Sequence, residues 1–200
     1  MKLYIIRHGQ TDWNVEGKIQ GRQDIPLNDM GRRQARALAD GMKSRPVASV
    51  YSSPQKRAME TAEAIAGPLG LTVKAVPQLM EIGYGDWEGR SAEDILTTDR
   101  ELYESWWQHP ATVAPPGGET LNQVDERCRQ AWDMIRSGMK GDTPVVAHGG
   151  TLAHFIVHLL EGQPEAKEIV VSNASITTMD YDPESGACRL VDLNDCSHLD

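Results

Sequence analysis

The sequence predicts an α/β fold built on a largely parallel sheet, and three observations carry that expectation. Short apolar runs alternate along the chain with segments whose apolar residues recur at helical spacing. Two of these runs, Leu3 to Ile6 and Pro144 to Ala147, stop at a histidine followed by glycine. Near the end, 175–181 and 187–193 alternate around Asp182-Pro183-Glu184-Ser185-Gly186, which is a hairpin signature.

The elements follow in order. Leu3 to Ile6 reads as a buried strand meeting a loop at Arg7-His8-Gly9. Between Asp29 and Met42, Ala35, Leu38, Ala39 and Met42 share one helical face. Val47 to Tyr51 is the second strand. Ser53-Pro54 then offers an N-cap and a first-turn proline to a helix bearing Ala58, Ala62, Ile65 and Leu69. Leu71 to Val76 is the third strand, and the glycine-bearing stretch from Glu81 to Arg90 is a loop. Ser91 opens a helix and a second runs through Leu102 to Trp107, before a Pro/Gly-rich connection from Pro110 to Gly118. Thr120 and Gln123 form a capping box ahead of the face Leu121, Val124, Cys128, Ala131, Ile135 and Met139. Pro144 to Ala147 is the fourth strand and Thr151 to Leu160 the last helix.

Size and charge narrow the possibilities. Two hundred residues fit one domain, 1–200. Twenty Lys and Arg against 29 Asp and Glu leave a net charge of −9, which argues against nucleic acid and against a polybasic membrane anchor. No apolar run is long enough to span a bilayer, and the N-terminal run is too short for a signal-peptide core. Three scattered cysteines suggest neither a disulfide framework nor a zinc site, so a cytoplasmic protein is expected. Monomer and homodimer both remain open.

Ligands of parallel sheets bind beyond the carboxyl ends of the strands. That rule places His8 and His148 on one rim although they are 140 positions apart. Arg7 adjoins His8, Arg57 lies in the first turn after the second strand, and Glu81 follows the third. Arginine suits bidentate contact with phosphate oxygens, and helix N-termini add anion-directed amides. The combination reads as an anion pocket holding a neutral imidazole and a separate acid. Singly, each residue has a plainer reading as surface charge, structural histidine or turn former; their joint placement is what carries weight. His154 and His158 stand at i, i+4 but lack the Glu of the metalloprotease motif and a third ligand, so no metal is expected. Arg32, Arg33 and Arg36 read as a solvated helix face, and Cys128 as a core filler. Trp106 and Trp107 fit either a substrate lid or ordinary packing.

Arg7-His8-Gly9-Gln10-Thr11 resembles the signature of the histidine phosphatase superfamily, whose best-known branch is the cofactor-dependent phosphoglycerate mutases. The resemblance continues through Trp13-Asn14, Gln20-Gly21, Pro26-Leu27 with Gly31, Ser52-Ser53-Pro54 with Arg57-Ala58 and Thr61-Ala62, Glu81 with Gly85 and Trp87-Glu88-Gly89, Gly117-Gly118-Glu119, and His148-Gly149-Gly150. It spans roughly residues 1 to 180 in the family's order. It implies a three-layer α/β/α, phosphoglycerate mutase-like fold: a mostly parallel six-stranded sheet with a C-terminal antiparallel hairpin, and a small helical cap at about 82–118. By position, His8 resembles the family's nucleophile, Arg7, Arg57 and His148 its phosphoryl clamp, and Glu81 its general acid. Asn14, Gln20, Gly21 and Gly149 fall where the family contacts phosphate or substrate. The implied reaction is metal-independent hydrolysis of a small phosphorylated metabolite through a phosphohistidine, with no cofactor.

A mutase must also hold a second anionic group. Phosphoglycerate mutases carry basic side chains after the acid and a longer insertion; here Arg90 is the only base near Glu81, and Arg100 the only Lys or Arg between 91 and 120. Gly150, where mutases usually carry Asn, is a further departure. These features favour the phosphatase branch that includes α-ribazole phosphatases and broad-specificity bacterial phosphatases over a phosphoglycerate mutase. A noncatalytic phospho-ligand-binding or scaffold member is the alternative of another class, and it would have no need for all five of Arg7, His8, Arg57, Glu81 and His148.

Overall fold

A computed structural model describes residues 1–161 and 168–199. Six strands form one sheet: β1 (Lys2–Arg7), β2 (Val50–Ser52), β3 (Val73–Ala75), β4 (Thr143–Ala147), β5 (Ile176–Tyr181) and β6 (Cys188–Asp195), in the order β3-β2-β4-β1-β5-β6. The pairs β1/β4, β2/β4 and β2/β3 are parallel, while β1/β5 and β5/β6 are antiparallel. The expected mostly parallel sheet with a terminal hairpin is therefore what forms.

The described helices are α1 (Asp12–Val15), α2 (Asp29–Met42), α3 (Lys56–Ala66), α4 (Ala92–Thr98), α5 (Arg100–Gln108), α6 (Leu121–Gly138) and α7 (Gly149–Leu159). Strand alternation explains the three layers. Leu3 and Ile5 of β1, with Val145 and Ala147 of β4, pack on Val124, Cys128, Ile135, Leu152 and Phe155 of α6 and α7. Tyr4, Ile6 and Val146 point the other way, onto Leu38 and Met42 of α2 and Ala58, Ala62 and Ile65 of α3. Successive strand side chains face opposite sides, so a strand covered on both faces must be apolar throughout. No described helix is long and apolar enough to cross a membrane.

Four elements have boundaries that differ from expectation. Ser53 is not an N-cap and Pro54 is not helical: α3 starts at Lys56, with Gln55 as its cap. The chain stays extended there because Ser53 N–H still bonds Val146 O at 2.9 Å, prolonging the β2/β4 ladder. The last helix starts two residues early, at Gly149, with His148 at the capping position. Val47 falls outside β2 and makes only an isolated bridge to Asp142, and the third strand shrinks to Val73–Ala75 because it is an edge paired on one side only. The four-residue α1, capped by a Thr11–Asn14 box, has too short a pattern to be read from periodicity.

One contact ties the fold to its rim. The loop leaving β1 lies directly on the first turn of α2, where a Cβ on Gly31 would sit 2.1 Å from Gln10 O. Asn28 N–H donates to the same carbonyl at 3.0 Å, and Gln34 Oε1 accepts Gln10 N–H at 2.8 Å. Gly31→Ala should therefore push this loop outward and destabilise the protein by about 1–3 kcal/mol in urea denaturation. Wild-type stability in that variant would show that the loop is not held by α2.

Candidate active site

Parallel pairing brings the carboxyl ends of β1, β4 and β2 side by side, and His8, His148 and Ser53 are the residues just beyond them. The His8 and His148 ring centroids lie 5.2 Å apart, with the planes tilted by 58°. His8 N–H bonds Ala147 O at 3.0 Å, which continues the ladder and fixes the two residues in register.

Each imidazole has a tautomer fixed by its partners. His8 Nδ1 lies 2.6 Å from Gly9 O. A carbonyl can only accept, so Nδ1 carries the proton and Nε2 keeps its lone pair. Arg57 Nε donates to His148 Nδ1 at 3.1 Å. A guanidinium can only donate, so His148 carries its proton on Nε2 and gives it to Ser53 Oγ at 2.8 Å. Accepting at Nδ1 makes the His148 ring neutral, and the surroundings of His8 keep its ring neutral too. Burial is the main force pushing the His8 pKa well below its ordinary value, with the charges of Arg7 and Arg57 acting in the same direction. Burial also depresses His148, helped most by Arg57.

The two arginines differ in exposure, Arg57 being buried and Arg7 half-buried. Arg57 is fully buried, and besides His148 it bonds Gln23 O through Nη1 at 2.7 Å and Gly21 O through Nη2 at 3.0 Å. Arg7 Nη1 bonds Val171 O at 2.7 Å, while its Nε is buried with no partner among the described residues. Burial pulls both guanidinium groups below their ordinary value, and the Glu81 carboxylate opposes that pull. Two guanidinium groups and one carboxylate leave an excess of positive charge, which a bound dianion can answer.

Glu81 caps the start of α7. Its carboxylate accepts Gly150 N–H at 3.3 Å, Thr151 N–H at 3.0 Å and its neighbour Ile82 N–H at 2.9 Å, with Thr151 Oγ1 3.2 Å away. The loop carrying it is clamped from α6. Arg127 Nη1 bonds both Gln78 O and Met80 O at 2.7 Å, and its Nε pairs with Glu119, which accepts Gly83 N–H at 2.7 Å. Gln55 adds a further tie, accepting Glu81 N–H at 2.8 Å and donating to Gly21 O at 3.0 Å.

Arg7, His8, Asn14, Gln20, Gly21, Arg57 and Glu81 all line one cavity of about 330 Å³. His148 and Gly149 stand behind its wall, with the Gly149 Cα packed on the Arg7 guanidinium. Asn14 Oδ1 is taken by Thr11 N–H and Asn173 Nδ2, so the amide nitrogen is the end left to meet an anion. Gln20 is buried, and its Oε1 has no partner among the described residues. Gly21 has φ +49°, and a Cβ there would strike Glu88 Oε1 at 2.1 Å, so glycine is required for the turn that presents its carbonyl to Arg57.

The supporting residues Ser53, Gln55, Arg127, Thr151 and Asn173 were not singled out from sequence as site residues. Glu119 lay within the Gly117-Gly118-Glu119 signature, but nothing there indicated its role. His154, considered above for metal binding, instead pairs with Asp125 at 2.5 Å, and no metal-binding group of His, Cys, Asp or Glu occurs among the described residues. Arg32, Arg33 and Arg36 are exposed on α2, and Cys128 is buried in the core.

Comparison with known proteins agrees with this geometry. The chain belongs to the Histidine phosphatase superfamily (branch 1), whose match covers residues 3–195. It is 34% identical over 98% of its length to "Putative phosphoserine phosphatase 2" of Hydrogenobacter thermophilus, covering 97% of that protein. It is 32% identical over its whole length to "Phosphoglycerate mutase-like protein 4" of Arabidopsis thaliana, covering 87% of that one. The α-ribazole phosphatase of Shigella flexneri superposes with a TM-score of 0.89 at 28% identity, over 98% of this chain and 96% of the other. Family and relatives together support a phosphoric monoester hydrolase.

Two buried neutral histidines have a consequence for stability. As pH falls through about 6.5, an unfolded imidazole takes up a proton while the folded one stays neutral, so the unfolded state gains. Stability should be full above pH 7 and fall between about 6.5 and 5.5, with a slope approaching about 1.4 kcal/mol per pH unit for each histidine. Urea unfolding across that window checks this, and His148→Gln should remove about half of the slope. A flat profile would contradict neutral burial of both rings.

Proposed function

We propose that the protein is a metal-independent phosphomonoesterase acting on a small phosphorylated metabolite through a phosphohistidine. In this reading 1–200 is one catalytic domain and 82–118 its helical cap. The observation that carries the reading is the His8 tautomer: with Nδ1–H tied to Gly9 O, the lone pair lies on Nε2 of a residue in the cavity wall.

In the first step Nε2 attacks phosphorus. A P–N bond forms, the P–O bond to the leaving group breaks, and Glu81, protonated on entry to this step, gives that proton to the departing alkoxide. In the second step the Glu81 carboxylate takes a proton from water, whose oxygen attacks phosphorus. The P–N bond breaks, inorganic phosphate leaves, and His8 returns to its starting tautomer. Covalent catalysis divides one hard displacement into two easier ones. Arg7 and Arg57, with Asn14, Gln20 and the amides near Gly21 and Gly149, supply the charge and positioning that phosphoryl transfer needs. His148, with both ring nitrogens committed to Arg57 and Ser53, acts by orienting Arg57 from behind the wall. The guanidinium groups do what a divalent cation does elsewhere, so the reaction needs none.

Against the mutase reading stands the commitment of nearby bases. Arg90 pairs with Asp99 at 2.7 Å and Arg22 with Glu119 at 2.9 Å, which leaves neither to hold a second phosphoryl or carboxylate group. Against the noncatalytic reading stands the full set of groups that the two steps require.

Two outcomes test the proposal. Brief reaction with a ³²P-labelled phosphomonoester in EDTA, followed by denaturation, should trap an acid-labile, base-stable label on His8. His8→Ala should carry none and should lose activity by at least about 10³-fold; turnover persisting in that variant would remove the covalent route. Glu81→Gln should slow alkyl phosphates about 10²–10⁴-fold and phenyl phosphates much less, because a phenolate leaves without a proton. Equal slowing of both would take the acid role from Glu81.

A further inference from the structure

The cavity has two chemically different halves. The phosphoryl end holds the charged groups. The other end is walled by Tyr84, Trp87, Tyr103, Trp106 and Trp107, drawn from the loop after Glu81 and from α5. These rings form one connected cluster. Trp106 meets Trp87 edge-on at 5.5 Å and Tyr84 edge-on at 6.2 Å, and Tyr103 stacks on Trp107 at 6.4 Å with the planes 13° apart. Trp87 is almost wholly buried, yet Trp107 is 69% exposed while still lining the cavity. Packing alone does not require an indole at that mouth, and exposed apolar surface beside a cavity marks a contact site.

Charge at this end is nearly absent. Among the described residues, Lys18 is the one cation in the wall beyond Arg7 and Arg57, and it is paired with Glu16 at 2.7 Å. Arg22 and Arg90 are bound to carboxylates, as described above. On the outer side of Trp107 an adjoining groove carries Glu104, which pairs with Arg100 at 3.4 Å and so leaves that cation committed as well. A carboxylate on the leaving group would enter an aromatic box without a free cation and lose its hydration. An uncharged ring would meet faces and edges suited to stacking.

We propose that this end is a leaving-group subsite for an uncharged, ring-bearing alcohol, and that phosphomonoesters with a carboxylate next to the phosphate are disfavoured. This rests on the phosphomonoesterase reading for its place in the reaction, but binding tests it separately. Calorimetric titration with three non-hydrolysable phosphonates isolates the subsite: 3-phenylpropylphosphonate, propylphosphonate and 3-carboxypropylphosphonate share the anionic head and differ at the far end. The phenyl compound should bind at least about tenfold tighter than the propyl compound, and the carboxy compound no tighter than propyl. Trp106→Ala should remove the phenyl advantage and leave propylphosphonate within about threefold, whereas Trp106→Phe should keep most of it. Trp107→Ala, at an exposed position that does not threaten folding, should reduce it in part.

Hydrolysis of 2-phenylethyl phosphate, ethyl phosphate and O-phosphoserine, all alkyl esters, is measured in parallel and should follow the same order. The subsite is overturned if the carboxy compound binds as well as the phenyl one, or if Trp106→Ala weakens all three phosphonates equally. Ring-selective phosphonate binding without hydrolysis of any ester would sink the phosphatase reading and leave the subsite standing.

Discussion

Two guanidinium groups beside two buried neutral imidazoles set the terms for everything around them. An ion moved out of water costs several kcal/mol unless its donors are matched. Arg57 meets that cost with three acceptors, an imidazole nitrogen and two loop carbonyls, so its orientation is fixed before any ligand arrives. The same bonds assign the proton on His148 and hold the 21–23 loop in place. Arg7, with one nitrogen left unmatched, keeps an unmet demand for an anion. Preorganised charge of this sort does not have to reorganise as a phosphoryl group passes through its transition state.

The proposed acid belongs to a different part of the scaffold. Glu81 sits where the first turn of α7 presents free amides, and its loop is stapled by Arg127 of the neighbouring α6 and by Glu119. His8, the proposed nucleophile, is therefore positioned by strands, and Glu81, the proposed acid, by helices α6 and α7. A change in cap sequence can alter what the cavity accepts without disturbing either group, which accords with a family whose members bear names of several different activities. The aromatic end is built from residues of that proposed cap, between 84 and 107.

Much of this was legible in the residues. Leu3 to Ile6 and Val145 to Ala147 announce strands buried on both faces, and the parallel-sheet rule then places His8 and His148 together across 140 positions. The ordered signatures around Arg7, Arg57, Glu81 and His148 add the chemistry. What stayed hidden depended on tertiary partners. Ser53-Pro54 satisfies local rules for a helix start, but the Val146 carbonyl and the His148 ring claim Ser53 instead. Arg127 looks like any charged residue beside the apolar stripe of α6; only the carbonyls of Gln78 and Met80, nearly fifty positions away, give it a purpose. Tyr103 and Trp106 share a short helix with no buried residue, so periodicity could not distinguish a cavity wall from a surface.

The central claim is that His8 is held neutral with its proton on Nδ1, and nuclear magnetic resonance tests it most directly. Long-range ¹H–¹⁵N correlation spectra of the His8 ring, assigned through a His8→Gln variant, should show the Nδ1–H tautomer unchanged from pH 8 to 5.5. A proton on Nε2, or titration with a midpoint near the ordinary imidazole value, would contradict the account.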